Sequence, residues 1–180
     1  MPDNLPENQV PDLDEPWDRG ELEAVLATSS DPHNPDPDTI YRIVRETLRF
    51  AVVGMSRDLS KPARRIPSYL AAKGGEVIPI NPNAERILGQ VARDSLDAVA
   101  VPVDMVLVFR PSEEAGEVIR SAMVRPEGPV IWLQDGIRAD EAAAEARALG
   151  RTVVQDLCIY EVHRAFGDTL RRAQERSPGI

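Results

Sequence analysis

Positive charge gathers directly after an apolar stretch in the first half of the chain. Phe50 to Val53 reads FAVV and leads into Gly54 and Ser56. Four cations then stand within nine residues, namely Arg57, Lys61, Arg64 and Arg65. A helix that starts after such a loop presents unpaired amide groups and the positive end of its dipole to an anion. The pattern predicts a site for a phosphorylated cofactor, although an ordinary strand crossover with a solvated basic loop explains the same residues.

The loop lacks the familiar nucleotide fingerprints. It reads GMSRDLSK, without the GxGxxG of dinucleotide sites, and the chain contains no GxxxxGKS or GxxxxGKT phosphate loop. The next apolar run ends in Ile80-Asn81-Pro82, without the acidic residue that binds ribose hydroxyls. A basic loop without that acid suits a ligand with several phosphates, because guanidinium and ammonium groups both bind phosphate oxygens.

Candidate catalytic residues are few and isolated. His163 falls in a predicted helix as a lone imidazole, so we interpret it as a core or surface histidine. Cys158 could exchange with a thiol cofactor if a helix amino end or a cation activated it, but its two neighbours are apolar and favour a buried, inert thiol. Asp135 and Asp156 have no nucleophile beside them and are interpreted as turn residues. We therefore expect binding rather than catalysis.

The cysteine count and the apolar pattern limit the class of protein. A single cysteine excludes an intramolecular disulfide and a multi-cysteine zinc site. A metal would have to rely on carboxylates and two distant histidines, His33 and His163, so we expect none. No run of about 18 apolar residues occurs, and the amino terminus lacks the positive start and apolar middle of a secretory signal. These features predict a soluble, cytoplasmic protein without membrane contact.

The net charge of −9 is unevenly distributed. Residues 1–40 hold eleven acidic residues and one base, so the rest of the chain, with nineteen acids and twenty bases, is almost neutral. A nucleic-acid partner needs a coherent basic face. We therefore expect no nucleic acid, whereas a local basic pocket is compatible with this balance.

We interpret residues 1–37 as an acidic, proline-rich N-terminal arm. They contain seven prolines, and most of them show no periodic apolar pattern. Within the arm, Arg19 to Ala27 can form one short helix with Leu22 and Leu26 on one face. This helix could dock onto the body or onto a second copy of the chain in a homodimer. The cofactor-binding domain would span residues 38–175.

Beyond the arm, apolar runs alternate with helical periodicity. Strands are predicted at 50–53, 77–80, 87–92, 103–109, 129–133 and 153–154, the third of them weak. Helices are predicted at 38–48, 66–73, 112–123, 139–149 and 160–173, with a short turn at 95–98. Asp38 and Ser112 are the predicted amino caps of two helices, and Gly150 is the predicted carboxyl cap of another. The alternation predicts an α/β fold with a doubly wound, mainly parallel sheet of five to six strands.

Ligands of such sheets bind outside the carboxyl ends of the strands, where strand order reverses. The polar residues at four strand ends should therefore line one crevice. These ends are Gly54 to Ser56, Asn81 with Pro82, Phe109 to Pro111, and Gln134 to Gly136.

Seven short segments, in order along the chain, resemble one known family. They read VVGMSRD, KP followed by Arg65-Ile66, GGEVIPINP, ILGQ, PVDMVLVFRP, VIWLQDGI and VVQDLCI. Together they resemble the small bacterial coenzyme A-binding proteins, whose Rossmann-like domain is similar to the amino-terminal domain of the succinyl-CoA synthetase alpha subunit. The sequence departs from the family pattern at four positions, which are Ala63, Leu107, Leu157 and Tyr160.

The resemblance implies a site for coenzyme A or an acyl-CoA. The residues that would meet its phosphates are Gly54, Met55, Ser56, Arg57, Lys61, Pro62, Arg64 and Arg65. The residues that would border its nucleotide are Ile80, Asn81, Pro82, Phe109, Arg110 and Pro111. The residues that would lie toward its pantetheine arm are Gln134, Gly136 and Ile137.

We expect a nucleotide-binding module that holds coenzyme A without catalysis. The synthetase reaction uses a phosphorylated histidine in a second domain and a partner subunit, and this chain is too short to hold either. Two alternatives stay open. One is a subunit of an acyl-CoA ligase that needs a partner chain, and the other is an NAD(H)-binding redox sensor.

Overall fold

The computed structural model describes residues 19–166. The predictions for the arm before residue 19, and for the ends of the last helix and of the domain beyond residue 166, lie outside the described residues. None of the helices in the described range combines the length and the hydropathy that crossing a membrane requires.

A five-stranded parallel sheet forms the centre of the fold. In chain order the strands are β1 (Arg49–Val53), β2 (Glu76–Ile80), β3 (Arg86–Ile87), β4 (Gln90–Val91), β5 (Met105–Val108), β6 (Val130–Leu133) and β7 (Val153–Val154). All except β3 and β4 join one sheet in the order β2-β1-β5-β6-β7, and each neighbouring pair is parallel. The predicted α/β fold with a mainly parallel sheet is thereby confirmed.

Helices cover both faces of the sheet. They are α1 (Arg19–Leu26), α2 (Pro37–Glu46), α3 (Pro62–Ala72), α4 (Ser112–Met123), α5 (Asp140–Ala148) and α6 (Ile159–Ala165), with a 3-10 turn at Leu96–Ala98. Buried side chains of α1, α2, α3 and α6 share one core cluster with one side of the sheet. Those of α4, α5 and the 3-10 turn share a second cluster with the other side. The sheet is therefore doubly wound, as predicted.

The strand sequences follow from this double burial. Phe50 and Val52 pack into the first cluster while Ala51 and Val53 pack into the second, because successive side chains of a strand point to opposite faces. All four residues of β5 are buried, as expected of a parallel strand covered on both sides. The chain leaves β1 through α3 to β2 on one flank and returns to β5 on the other. Strand order thus reverses between β1 and β5.

The predicted weak strand at 87–92 is wrong as a member of the sheet. Its residues form a separate antiparallel hairpin of β3 and β4. Leu88 and Gly89 both adopt positive φ, 53° and 72°, which closes the tight two-residue turn between the strands. After the hairpin, Arg93 makes an isolated parallel bridge with Ile80 and so returns the chain to the edge of β2.

Three predicted helix starts are corrected. Asp36 rather than Asp38 caps α2, because its carboxylate accepts the Thr39 amide at 3.0 Å and Pro37 takes the first helical position. Ser112 is the first residue of α4 and not its cap; its hydroxyl accepts the amide of Arg138 instead. The third correction concerns α3, which begins four residues earlier than predicted, at Pro62. The carboxyl-cap prediction for Gly150 is confirmed, since it follows α5 with a φ of 76°.

Helix α1 lies where the sequence predicts a short helix, and it packs against α2 and α6. Leu22 is fully buried in the first core cluster. The described end of the arm is therefore part of the packed structure. The domain division at residue 37 and the homodimer stay predictions.

Candidate functional site

Three strand ends meet at Gly54, where strand order reverses. Its amide donates to the carbonyl of Ile80 at the end of β2, at 3.1 Å. A Cβ on Gly54 would lie 2.8 Å from Cδ of Arg110 and 3.1 Å from the carbonyl oxygen of Phe109, just beyond β5. The side-chain amide of Asn81 donates to the carbonyl of Met55 at 2.9 Å. The ends of β1, β2 and β5 therefore converge, as the sequence predicts.

The loop between β1 and α3 is tied to the helix by an unusual backbone contact. Pro67 lies inside α3 and has no amide hydrogen to donate to the carbonyl of Ala63 one turn earlier. That carbonyl instead accepts the amide of Ser56 at 3.1 Å. In this conformation the amides of Gly54 and Ser56 are both used within the chain. These two amides are therefore not free to bind an anion.

The cations do not all belong to the loop. Arg64 and Arg65 lie in the first turn of α3 and Lys61 is its amino-terminal flanking residue, which corrects the sequence interpretation of one cationic loop. Lys61, Arg65 and Arg57 are exposed, and no acidic side chain in the described part of the chain forms an ion pair with them. Arg64 instead contacts the hydroxyl of Ser68. Three cations are therefore available to an anion.

A cavity of about 620 Å³ opens beside the start of α3. It lies between this helix, the end of β5, the loop after β6 and the loop after β7. Five predicted site residues line it, namely Pro62, Arg65, Phe109, Gln134 and Ile137. Six further residues complete its wall, namely Ile66, Tyr69, Asp135, Cys158, Tyr160 and Glu161. The wall is mainly apolar and aromatic, and it also contains the guanidinium of Arg65 and the carboxylates of Asp135 and Glu161.

The other predicted residues lie around this cavity rather than in its wall. They are Gly54, Met55, Ser56, Arg57, Lys61, Arg64, Ile80, Asn81, Pro82, Arg110, Pro111 and Gly136. The side chains of Met55 and Ile80 are buried in the two core clusters, so only their backbone could face a ligand. Arg110 forms an ion pair with Glu114 on α4. Gly136 belongs to the same loop as Gln134 and Ile137.

Side-chain hydrogen bonds join the loop after β6 to the loop after β7. The side-chain carbonyl of Gln134 accepts the amide of Ile159 at 2.9 Å, and its amide group lies 3.7 Å from the sulfur of Cys158. The carboxylate of Asp156 accepts the amide of Gly136 at 2.7 Å. Burial raises the pKa of Asp156, but hydrogen bonds from Ser30 and from Gly136 outweigh burial and lower this pKa below its ordinary value. Asp156 is therefore ionised at neutral pH.

Two tyrosines of the cavity wall contact each other, and one of them is hydrogen-bonded to a histidine. The hydroxyl of Tyr69 is hydrogen-bonded to Nδ1 of His163 at 2.6 Å, and the ring of Tyr160 meets that of Tyr69 edge to face. His163 is completely buried, so the structure makes it a core histidine. In the described range, no three side chains of His, Cys, Asp or Glu gather as metal ligands would.

The cavity wall contains residues that sequence reasoning missed. Ile66 and Tyr69 follow Pro62 and Arg65 at helical spacing and share their face of α3, so a correct helix start would have indicated them. Cys158 corrects the expectation of a buried thiol, because it is only partly buried and lines the cavity. The end of β7 is a fifth strand end at the same edge of the sheet, which is the signal that points to Cys158 and its neighbours.

Comparisons with known proteins bear on this site. Residues 48–164 match the family model for the CoA binding domain. The uncharacterized protein YneT of Bacillus subtilis is 35% identical over 130 residues, which make up 72% of this chain and 96% of YneT. The solved structure of cell-free ID.343 from Thermus thermophilus shares 32% identity at a TM-score of 0.68, over 73% of this chain and 100% of that one.

A shorter match involves an enzyme. The ADP-forming acetate–CoA ligase II of Archaeoglobus fulgidus is 35% identical over 71 residues, which are 38% of this chain and 10% of the ligase. This match is too short to carry over the ligase activity, whereas the family model covers most of the chain. The chain belongs to the CoA-binding domain family.

Proposed function

We propose that this protein binds coenzyme A or an acyl-CoA across the carboxyl ends of the strands and catalyses no reaction on it. The observation that carries the proposal is the position of Arg65, which lines the apolar cavity and also belongs to the group of unpaired cations. Coenzyme A has the matching chemistry, with phosphates at one end and an uncharged pantetheine arm at the other. One crevice offers a partner for each end.

The phosphate end is supported by charge. Lys61 and Arg65 flank the amino terminus of α3, where the helix dipole also favours an anion. Arg57 stands in the preceding loop, so three cations lie within nine residues. A guanidinium binds phosphate oxygens through paired hydrogen bonds and an ammonium acts as a point charge. A ligand with several phosphates needs several cations of this kind to neutralise its charge.

The pantetheine end is supported by the cavity. Its volume of about 620 Å³ lies in the range of small-molecule sites. Phe109, Ile137 and Tyr160 offer apolar surface to the arm, and Asp135 offers carboxylate acceptors to its amide groups. Cys158 also lines this cavity. We place the thiol or acyl end of the ligand toward it.

The absence of a paired catalytic group supports binding without chemistry. Cys158 is the natural nucleophile in the cavity, yet in the described range its hydrogen-bond partner is the amide of Gln134, which cannot accept a proton. Nucleophilic catalysis needs a base within hydrogen-bond reach of the nucleophile. The alternative is a ligase subunit, which the partial match to acetate–CoA ligase favours. That alternative requires a partner chain to supply the nucleotide site.

Thermal unfolding in parallel with coenzyme A, NADH and ATP tests the proposal. Coenzyme A should raise the melting temperature, because a ligand that binds only the native state at about 100 times its Kd adds about 2.7 kcal/mol of stability. NADH and ATP should raise it much less, since neither has a pantetheine arm to fill the cavity. A larger shift with NADH would overturn the proposal in favour of a redox sensor.

Alkylation of Cys158 tests the direction of the ligand. The chain has one cysteine, so intact mass reports its modification without ambiguity. Saturating acetyl-CoA, which unlike coenzyme A has no free thiol to consume the reagent, should slow the reaction of iodoacetamide with Cys158 by about tenfold, because the pantetheine arm covers the thiol at the cavity wall.

Adenosine 3′,5′-bisphosphate is the matched control ligand for that reaction. It carries two of the three phosphates of coenzyme A but lacks the pantetheine arm, so it should leave the alkylation rate within twofold of the unliganded rate. Equal protection by both ligands would mean that the nucleotide, and not the arm, occupies the cavity.

A further inference from the structure

The segment between α1 and α2 contacts the site from outside the family domain. We call Ser29 to Asn34 the strap. It precedes residue 48, where the match to the CoA binding domain begins. It crosses the end of β7, which is an edge strand of the sheet. The strap therefore lies outside the residues that match the family model and contacts them beside the cavity.

The strap is bound to the backbone of Gln155 immediately after β7. The side-chain amide group of Asn34 donates to the carbonyl of Gln155 at 2.8 Å, while the side-chain carbonyl of Asn34 accepts the Gln155 amide at 2.8 Å. The hydroxyl of Ser29 donates to the same carbonyl at 2.8 Å. Asn34 thus pairs with the end of β7 as a neighbouring strand would, and it satisfies an otherwise open edge.

A buried polar contact fixes the middle of the strap. The carboxylate of Asp31, whose side chain is 1% exposed, accepts hydrogen bonds from Arg147 and from the side chain of Gln155, both at 2.9 Å. The side-chain carbonyl of Gln155 accepts the amide of Ala139 at 2.7 Å. Buried charged hydrogen bonds are expensive to lose. The middle of the strap is therefore fixed to α5 and to the residue that follows β7.

Asp156 connects the strap to the cavity wall. One carboxylate oxygen accepts both the amide of Ser30 at 2.9 Å and its hydroxyl at 2.6 Å. The other oxygen accepts the amide of Gly136, and the amide of Asp156 donates to the carbonyl of Ile137 at 3.1 Å. Asp156 has a φ of 51°, a conformation that costs energy in a residue other than glycine and persists only when surrounding contacts hold it.

We infer that the strap sets the position of the loop from Gln134 to Ile137 through Ser30 and Asp156, and thereby controls binding of the pantetheine arm. The inference rests on the proposed function for the identity of the ligand. Gln134 and Ile137 line the cavity, whereas the hydrogen bonds and ion pairs of the strap in the described range do not reach the cations of α3. Ser30 and Asp156 are thus positioning residues for one half of the site only.

The test replaces Ser30 with aspartate in the full chain. The change removes the hydroxyl that donates to Asp156 and accepts from Arg138, and it places a second carboxylate beside that of Asp156. The Kd for coenzyme A should rise by about tenfold, since lost hydrogen bonds to a charged group have effects of this size. The Kd for adenosine 3′,5′-bisphosphate should stay within twofold, because the cationic half is untouched. Isothermal titration calorimetry measures both.

Thr28→Asp is the matched control. It makes the same charge change two residues earlier, at an exposed side chain whose hydroxyl, among residues 19–166, donates to the carbonyl of Val25 and not to the cavity loops. Both affinities should be unchanged in this variant. Equal weakening of both ligands in Ser30→Asp would overturn the inference, because general destabilisation does not distinguish the two halves of the site.

Hydrogen exchange without ligand separates this inference from the proposed function. Ser30→Asp should speed exchange of the amides at residues 134–139 by about tenfold relative to wild type, since loss of the Asp156 contact frees the Gly136 amide. Thr28→Asp should not. Unchanged exchange in Ser30→Asp would overturn the strap mechanism even if coenzyme A binds. Failure of the wild-type protein to bind coenzyme A would instead overturn the proposed function and leave the exchange result standing.

Discussion

Coenzyme A binding is expected to weaken by about 100-fold or more when Lys61 and Arg65 are both replaced by glutamate. Each is an exposed cation without an ion pair in the described range, and a hydrogen bond to a charged group contributes about 1.5 to 3 kcal/mol. Reversing both charges removes two attractions and adds two repulsions to the phosphates. Calorimetric titration at fixed ionic strength measures the change. Fixed salt matters because exposed charges are screened.

The single variant Arg65→Glu should weaken coenzyme A binding by about tenfold or more, and Arg42→Glu is its matched control. Arg42 is an exposed arginine on α2, a helix that contributes no residue to the cavity wall. Its reversal gives the same net charge as Arg65→Glu and should leave the Kd within twofold of wild type. Full affinity in the double variant would mean that the phosphates bind elsewhere.

The sheet could be predicted because its strands are buried on both faces. Runs such as Val130–Leu133 have apolar side chains on successive positions, and only a strand between two helical layers needs them. The start of α3 could not be predicted from apolar periodicity. Its first turn contains Pro62, Arg64 and Arg65, and this turn borders an open crevice where polar side chains meet no apolar partner.

The environment of Cys158 could not be inferred from the residues on either side of it. Leu157 and Ile159 are both buried, and the sequence interpretation assigned the same environment to the residue between them. The segment is extended before α6 begins, so neighbouring side chains point in opposite directions and the cysteine faces the cavity.

The contacts of the strap could not be predicted from apolar periodicity or from short motifs. Ser30 and Asp156 are 126 residues apart, and each is a common turn residue. Their hydrogen bond depends on β7 forming the edge of the sheet and on α1 packing against α6. The predictable part of the site is thus the set of strand ends. The part that could not be predicted is the set of hydrogen bonds between the loops at those strand ends.

Gly54 lies both at the end of β1 and in the crevice, so a substitution there affects the fold as well as the site. It has a φ of 83°, a backbone conformation that L side chains rarely adopt. The carbonyl oxygen of Phe109 lies 3.1 Å from the position of a Cβ, and this backbone is fixed because the Phe109 amide donates to Val53. Any side chain at residue 54 must therefore push apart β1 and the end of β5.

Gly54→Ala is expected to destabilise the native state by about 3 kcal/mol, since left-handed strain costs about 1 kcal/mol and overpacking in a fixed backbone adds a similar or larger penalty. Gly150→Ala is the matched control, because Gly150 has a φ of 76° but no heavy atom within 4 Å of its Cβ position. That variant bears the conformational strain alone and should lose only about 1 kcal/mol. Urea unfolding of both variants measures the difference. Equal losses would show that the strand ends separate freely, and the crevice would then not be the rigid site that this geometry describes.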